Sequence, residues 1–122
     1  MDIAYICIFA GDFDGSVIFY RDKLGLEEDL SRSAKNFHAL KAGNIFIGIE
    51  RNGFRKGEQK TKAENAVLIQ FKASTPVELK EITEKLEAKG VQIVDRLVET
   101  AYGTFTNFLD PDGNKLEVLY QS

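Results

Sequence analysis

The sequence has few of the residue types on which several classes of site depend. Its 122 residues include one cysteine, one histidine and no tryptophan. A lone Cys7 forms no disulfide within the chain, which favours the reducing cytoplasm as its location. A lone His38 excludes a metal site with several histidine ligands from one chain.

Long apolar runs and a strong charge of either sign are also missing. The apolar runs are too short to span a bilayer, and the first residues lack the basic flank and cleavage site of a signal peptide. A formal net charge of -3 gives no general attraction to nucleic acid or anionic membrane. With 43% hydrophobic and 29% charged residues, the composition predicts one globular domain over residues 1–122, with neither nucleic acid nor membrane as a partner.

The first half of the chain shows the pattern β-α-β-β-β. Residues 2–9 are apolar and partly β-branched, as in a strand. Asp12 and Asp14 are candidate caps of a helix that ends at Gly25. Three short extended segments follow, at about residues 27–32, 36–41 and 45–50.

The second half repeats the same order. Residues 66–73 form a predicted strand, and three signals then agree on a helix start. Thr75 can cap, Pro76 suits the first helical position and Glu78 can complete a capping box. Gly90 ends the helix. The remaining strands are predicted at about residues 91–99, 104–109 and 115–120, which gives an α+β fold of two similar modules at about 1–50 and 65–122.

A charged segment of about residues 51–64 joins the two modules. It carries five lysines or arginines between Arg51 and Lys62, and it lacks a sustained apolar period. These features predict a solvated linker that is the most mobile part of the chain. The alternative is a flap whose Arg51, Phe54 or Arg55 closes over an anionic or aromatic ligand.

Two segments resemble the hallmarks of a known superfamily. They are F-Y-R-D-K-L-G-L at residues 19–26 and F-L-D-P-D-G-N-K-L-E at 108–117. Both are similar to segments of the vicinal oxygen chelate superfamily, which includes glyoxalase I, bleomycin-resistance proteins and extradiol dioxygenases. The resemblance covers essentially the whole chain. It implies two βαβββ modules whose curved mixed sheets carry the helices on the convex face, ligands bound in the cups of the sheets, and a homodimer.

The resemblance also implies where a metal would be held. Metal-dependent members take ligands from the first and fourth strands of each module. The matching positions here are Tyr5, Ile47 (or Gly48, with a slip of one residue), about Ala66, and Glu117. Only Glu117 is a usual ligand, since a tyrosine phenol titrates near ~10. One carboxylate does not hold a divalent ion against water, so we expect no metal and no cofactor.

Strand alternation indicates which side chains line the cups. If Tyr5 faces a cup, Cys7 and Phe9 do so too. In the last strand an apolar set occupies the other face, so Glu117 points to the cup. For residues 104–109 either alternating set could face inward. The predicted ligand-binding residues are Tyr5, Cys7, Phe9, His38, Arg51, Phe105, Asn107 and Glu117, with Glu117 also the candidate catalytic residue.

Each of these residues has a structural alternative. Tyr5 and the phenylalanines could be core residues, and Cys7 a small buried hydrophobe. His38 could be a surface or hydrogen-bonded histidine. Glu117 could be the remnant of a lost metal site.

Three functions are compatible with the sequence. The first is metal-independent binding, and so sequestration, of a small organic or antibiotic-like ligand. The second is a lyase or dioxygenase-type enzyme that uses Glu117 as a ligand or general base. The third is a structural or regulatory dimer whose cup is filled by its own side chains. Glyoxalase I and extradiol dioxygenase chemistry are disfavoured, because both depend on the metal.

Overall fold

The computed structural model describes residues 3–51, 67–101 and 103–122. The chain divides into two compact units, residues 1–60 and 61–122, and the division lies within the predicted linker. Arg51 is the one linker residue within the described ranges. The predictions of a mobile linker and of a flap carrying Phe54 or Arg55 therefore concern residues outside the described part. Of the described helices, none is long and apolar enough to cross a membrane.

The first unit follows the predicted order of elements. Its strands are β1 (Tyr5–Ala10), β2 (Glu27–Glu28), β3 (Phe37–Ala42) and β4 (Ile45–Arg51), and its helix is α1 (Phe13–Ile18). Asp12 caps α1 as predicted, since its carboxylate accepts a hydrogen bond from Gly15 N at 3.0 Å.

The segment predicted as one extended piece at about 27–32 is shorter than expected. Only Glu27–Glu28 is a strand, and a 3-10 turn follows at Leu30–Arg32. The cause is Asp29, whose carboxylate accepts a hydrogen bond from Ser31 N at 3.0 Å and so turns the chain.

The first hallmark segment has a physical explanation in how α1 ends. A π-helical turn, Phe19–Lys23, continues α1 and is closed by a hydrogen bond from Leu24 N to Phe19 O at 2.8 Å. It buries the rings of Phe19 and Tyr20, which meet edge to face at 5.0 Å. Gly25 then leaves the turn with φ 86°, a value that glycine adopts without steric cost.

The first sheet has the strand order β1-β4-β3-β2, with β1 parallel to β4 and the other pairs antiparallel. Paired residues share a face, so the register assigns each side chain to one of two faces. We call the side covered by the helix the helix face and the opposite side the open face. The core lies on the helix face and includes Leu40, Ile47 and Ile49, all fully buried.

The second unit repeats this architecture. Its strands are β5 (Ile69–Lys72), β6 (Ile93–Thr100), β7 (Gly103–Leu109) and β8 (Lys115–Gln121), and its helix is α2 (Pro76–Ala88). The sheet order is β5-β8-β7-β6, again with one parallel pair at β5 and β8. The α+β prediction of two βαβββ modules is therefore confirmed.

The start of α2 is built as the sequence predicts. Thr75 Oγ1 accepts a hydrogen bond from Glu78 N at 3.0 Å, and the carboxylate of Glu78 accepts one from Ser74 N at 3.3 Å. The helix packs on β6, β7 and β8, with Leu79 and Leu86 buried beneath it.

The turn of the second hallmark segment is organised by Asp110, which leads the chain into β8. Its buried carboxylate accepts hydrogen bonds from Asp112 N at 3.0 Å and from Asn114 N at 2.8 Å. Gly113 takes φ 83°, as predicted for the residue that re-enters the strand. The turn therefore fixes the start of β8 and, with it, the register of Glu117.

Candidate functional site

Four polar side chains cross the open face of the second sheet in one line. Gln70 on β5 pairs with Glu117 on β8, Glu117 pairs with Asn107 on β7, and Asn107 pairs with Asp95 on β6. We call Gln70, Glu117, Asn107 and Asp95 the polar row. Asn107 and Glu117, two residues predicted from the sequence, lie at its centre. Gln70 and Asp95 were not predicted.

The hydrogen bonds of the polar row join its members in two pairs. Gln70 Nε2 donates to Glu117 Oε2, and Asn107 Nδ2 donates to Asp95 Oδ2 at 3.1 Å. Asn107 is only 3% exposed and Glu117 only 7%. Asn107 Oδ1 is buried and receives no hydrogen bond from any described residue. A buried acceptor without a donor costs about 1–3 kcal/mol, so this oxygen is a point at which a ligand donor would be stabilised.

Two irregularities in β6 bring Asp95 opposite Asn107. The pairing of β6 with β7 shifts once between Ile93 and Asp95 and again between Asp95 and Val98. Such bulges re-aim side chains near sites. Leu97, within the second shift, has φ 48°, which is unusual for a residue with a side chain.

A chain of hydrogen bonds fixes the second irregularity to the helix. Leu97 N donates to Thr106 Oγ1 at 3.1 Å, and the Thr106 and Thr83 hydroxyls lie 2.9 Å apart. Thr83 donates its one hydroxyl proton to Leu79 O at 2.8 Å, so Thr106 must donate to Thr83. The position of Asp95 is therefore tied through β7 to the backbone of α2.

Apolar side chains flank the polar row. Phe105 and Leu119 each lie two residues along their strands from the polar row. They pair with each other on the open face, and both are partly buried. Lys72 pairs with Leu119, and Lys115 pairs with Leu109, so two exposed cations lie beyond the row on the same face. Fixed polar groups beside apolar side chains are a combination found in small-molecule sites.

The open face of the first unit is aromatic instead. The Tyr5 ring stacks on Phe46 with centroids 5.3 Å apart, and it lies 6.0 Å from Phe37. We call Tyr5, Phe37 and Phe46 the aromatic cluster. Arg32 covers it: its guanidinium carbon is 4.8 Å from the Phe46 centroid, and Nη1 donates to Tyr5 Oη at 3.2 Å. Arg32 lies in the 3-10 turn, and nothing in the sequence pattern marks it.

The other predicted residues of β1 also lie on this open face, where Cys7 pairs with Gly48 and Phe9 with Glu50. Cys7 is exposed, so the alternative that it is a buried hydrophobe is wrong. Partial desolvation and the negative charge of Glu50 raise the pKa of the Cys7 thiol. A thiol that holds its proton is a weak nucleophile, which argues against covalent chemistry at Cys7.

His38 and Arg51 do not share the open face with the other predicted residues. His38 lies 5.4 Å, ring to ring, from Phe13 of α1, and the Arg51 guanidinium carbon is 4.4 Å from the same ring. Arg51 Nε also donates to Asn36 Oδ1 at 3.0 Å. Side chains alternate between the two faces along β3 and β4. His38 pairs with the buried Ile49, and Arg51 follows Ile49 by two residues, so both His38 and Arg51 lie on the helix face.

His38 is paired with a partly buried carboxylate. His38 Nδ1 and Glu28 Oε2 are 2.5 Å apart, and Arg21 Nη1 donates to the other oxygen of Glu28 at 3.2 Å. Burial acts to raise the pKa of Glu28, but the hydrogen bonds from His38, Ser33 and Arg21 outweigh it and lower the pKa. The structure therefore places His38 in a hydrogen-bonded pair beneath the helix, in line with the structural alternative.

The two units can be superposed through their helix starts. Ala10 and Ala73 each lie three residues before the first residue of a helix, and both are only 1% exposed. This correspondence relates Tyr5 to Leu68 and Cys7 to Gln70. Ala66, the predicted position, lies outside the described residues.

Strand pairing extends the correspondence to Gly48 and Glu117, the partners of Cys7 and Gln70. Ile47 is therefore not the counterpart of Glu117, since it is 1% exposed on the helix face. The slip of one residue to Gly48 is correct.

The residues around Glu117 do not fit a divalent metal. Its neighbours in the polar row are the amides of Gln70 and Asn107, and the corresponding positions of the first unit are Cys7, Gly48 and Ala39, of which Cys7 alone is a metal-ligand type. Within residues 3–51, 67–101 and 103–122, no three His, Cys, Asp or Glu side chains converge as metal ligands. We derive no chemistry through a metal here, and the expectation of no metal or cofactor stays a prediction.

Comparison with protein families gives one match that spans most of the chain. A model described as the Glyoxalase/Bleomycin resistance protein/Dioxygenase superfamily matches residues 2–118. This match confirms the resemblance predicted from the two hallmark segments. A comparison with curated proteins gives no significant match.

Several solved structures share the fold. A glyoxalase/bleomycin resistance protein/dioxygenase family enzyme from Burkholderia phytofirmans PsJN has a TM-score of 0.86 at 22% identity, covering 100% of both chains. TnmS3, an antibiotic binding protein from Streptomyces sp. CB03234, has 0.77 at 15% identity and covers 100% of this chain and 97% of its own. Lactoylglutathione lyase from Agrobacterium tumefaciens has a TM-score of 0.74 at 22% identity, covering 98% of this chain and 92% of its own. At these identities the likeness shows the fold alone.

Proposed function

Because the chain belongs to the glyoxalase/bleomycin resistance protein/dioxygenase superfamily, we propose that it binds a small organic or antibiotic-like molecule without a metal. The molecule is held on the open face of the second unit and is sequestered rather than converted. One observation carries this proposal: the buried Asn107 Oδ1 lacks a donor among the described residues and lies in the same row as the buried carboxylate of Glu117.

The chemistry of the polar row supports binding. Glu117 is an acceptor, and Asn107 contributes a second one. Phe105 and Leu119 offer apolar surface beside these acceptors. A planar molecule could pack on that surface while a donor group of the same molecule reaches Glu117 and Asn107.

One structural neighbour supports sequestration. TnmS3 has the same fold, and it is described as an antibiotic binding protein. Its function shows that this fold is able to bind an antibiotic. For the present chain an antibiotic-like ligand is our proposal.

A direct binding experiment tests the proposal. The full-length protein is titrated with benzamidinium and with metal-free bleomycin in the presence of EDTA, and binding is followed by calorimetry. We expect saturable binding of at least one probe, weakened about tenfold or more in Glu117→Gln, because a hydrogen bond to a charged group contributes about 1.5–3 kcal/mol. The control is Glu81→Gln, which removes an exposed carboxylate on α2 and should leave binding unchanged.

Two results would contradict the proposal. One is an absence of saturable binding by either probe. The other is equal affinity in the wild type and in Glu117→Gln. Stoichiometric metal in the purified protein would contradict the metal-independent part of it.

The second candidate is an enzyme of the lyase or dioxygenase type that uses Glu117 as a ligand or general base. The burial of the Glu117 carboxylate favours this candidate, because buried carboxylates are common general bases. Turnover of the hemithioacetal of methylglyoxal and glutathione tests the lyase form. We expect none, and turnover that is lost in Glu117→Gln but kept in Glu81→Gln would establish the enzyme.

A homodimer and a cytoplasmic location complete the proposal. The dimer is an expectation from the family resemblance, and sedimentation equilibrium tests it by giving the mass of one chain or of two. The location is an expectation from the single cysteine, and fractionation of the producing cell tests it.

A further inference from the structure

Asp95 has no role in the family hallmarks or in the sequence pattern, yet it holds the buried amide at the centre of the polar row. We infer that Asp95 is a positioning residue that makes the site selective for ligands presenting an N–H donor, above all amidinium or ammonium groups. This inference rests on the proposed function, since it names the class of ligand that the polar row accepts.

Asp95 fixes the orientation of the Asn107 amide. An asparagine side chain has a donor end and an acceptor end, whereas an ionised carboxylate only accepts. Asp95 Oδ2 lies 3.1 Å from Asn107 Nδ2. The reversed amide would set two acceptors against each other, so Asp95 keeps the donor end on its own side. The other end, Oδ1, is thereby fixed as an acceptor within a 3% exposed side chain.

The carboxylate of Glu117 adds further acceptors beside Asn107. Gln70 Nε2 is already directed to Glu117 Oε2. Asn107 thus lies between two carboxylates, with Glu117 on one neighbouring strand and Asp95 on the other. The cations of this face, Lys72 and Lys115, are two residues along the strands from the row and exposed to solvent. A ligand N–H would therefore meet the acceptor atoms of Asn107 and Glu117, whereas a ligand carboxylate or nitro group in the same place would face their lone pairs.

The bulges of β6 indicate that this placement is specific. Two register shifts surround Asp95, and the amide of Leu97 is held by Thr106. A regular strand in this place would pair fully with β7 and would need neither the shifts nor the positive φ of Leu97. The local backbone cost is offset by a chain of hydrogen bonds that leads to α2.

Uncharged probes separate the effect of ligand charge from the effect of the orientation of the Asn107 amide. Aniline and nitrobenzene are similar in size and neutral at pH 7, but aniline offers an N–H donor and nitrobenzene only acceptors. Binding of each to the full-length protein is followed by ¹⁵N–¹H correlation spectra, with benzamidinium and benzoate as the charged pair. In the wild type we expect benzamidinium to bind about tenfold or more tighter than benzoate, and aniline to bind several-fold tighter than nitrobenzene.

The decisive variant is Asp95→Asn. The new amide can donate or accept, so Asn107 is free to reverse, and the preference for aniline over nitrobenzene should disappear. A purely electrostatic role of Asp95 would leave that ratio unchanged, because both probes are neutral. Glu99→Gln removes a carboxylate from an exposed position of the same strand and should keep both preferences.

Each outcome of these experiments either supports or overturns the role inferred for Asp95. Probes that shift residues of β7 and β8 without preference, or a preference that survives in Asp95→Asn, would overturn this inference and leave the proposed function standing. Absence of binding by all four probes, up to their solubility, would overturn the proposed function and this inference with it. If Asp95→Asn does not fold, the wild-type ratio of aniline to nitrobenzene binding still decides, since equal binding overturns the inference.

Discussion

The two units build one architecture around different central residues. The same three strand positions at the middle of each open face are Cys7, Gly48 and Ala39 in the first unit and Gln70, Glu117 and Asn107 in the second. Small side chains at these positions leave room for rings, and the aromatic cluster occupies the first open face. Polar side chains at the same positions form a row with an acceptor that no described residue satisfies. The two units thus share a scaffold, and the side chains at these three positions distinguish their open faces.

The helix faces differ in a corresponding way. By the same correspondence, Thr106 in the second unit occupies the position of His38 in the first. His38 is paired with Glu28, whereas Thr106 links the β6 bulge to α2. A polar group beneath the helix therefore organises one unit locally, and in the other it supports the placement of Asp95 on the open face.

The largest effect is expected when the polar centre of the second unit is copied into the first. A Cβ at Gly48 would lie 2.6 Å from Phe37 Cε1 and 3.2 Å from Cys7 Sγ. Gly48→Glu adds a carboxylate to this crowded position, and we expect the free energy of unfolding to fall by about 3 kcal/mol or more. Urea unfolding measures it. Phe37→Ala in the same chain should recover part of the loss, and an unchanged midpoint in Gly48→Glu would show that the first open face has room for a polar row.

A smaller loss is expected from breaking the hydrogen-bond chain of the second unit. Thr106→Val keeps the shape of the side chain but removes the acceptor of Leu97 N and the donor to Thr83. We expect a loss of about 1–3 kcal/mol in unfolding free energy, together with weaker probe binding because Asp95 is no longer held in register. Thr104→Val, on the same strand and less buried, is the matched control. Equal effects of the two substitutions would argue against a link between α2 and the site.

The smallest effect concerns Cys7, the counterpart of Gln70. Desolvation and the charge of Glu50 raise the pKa of its thiol, so alkylation by iodoacetamide should be slower than for a free cysteine near pH 8 and should approach it as the pH rises through the raised pKa. Glu50→Gln removes the lesser of the two causes and should speed alkylation a few-fold below that pKa. Glu81→Gln should leave the rate unchanged, and a rate equal to that of free cysteine in the wild type would contradict the shift.

Much of this architecture could be predicted from local signals. Thr75, Pro76 and Glu78 marked a helix start that the structure contains, and strand alternation placed Glu117 and Cys7 on the open faces. The same alternation, applied from Ile49, would have placed Arg51 on the helix face.

The other residues of the two open faces could not all be predicted, because some of them depend on irregular strand pairing and turns that the alternation of side chains along a strand does not reveal. Asp95 reaches the open face only through the shifts in β6, which break the alternation on which such predictions rest. Gln70 was missed because alternation was applied along β1, where it gave Cys7 and Phe9 beside Tyr5, and not along residues 66–73, where Gln70 is the counterpart of Cys7. Arg32 covers the aromatic cluster from a turn created by Asp29, and a strand prediction gave it no position.

We propose that the open face of the second unit, and not that of the first, binds the ligand. Shift mapping with benzamidinium on the assigned full-length protein tests it most directly. We expect saturable changes at Gln70, Asp95, Asn107 and Glu117, with Tyr5, Phe37 and Phe46 unaffected. Saturable changes confined to those three aromatic residues, or none in either unit, would contradict it.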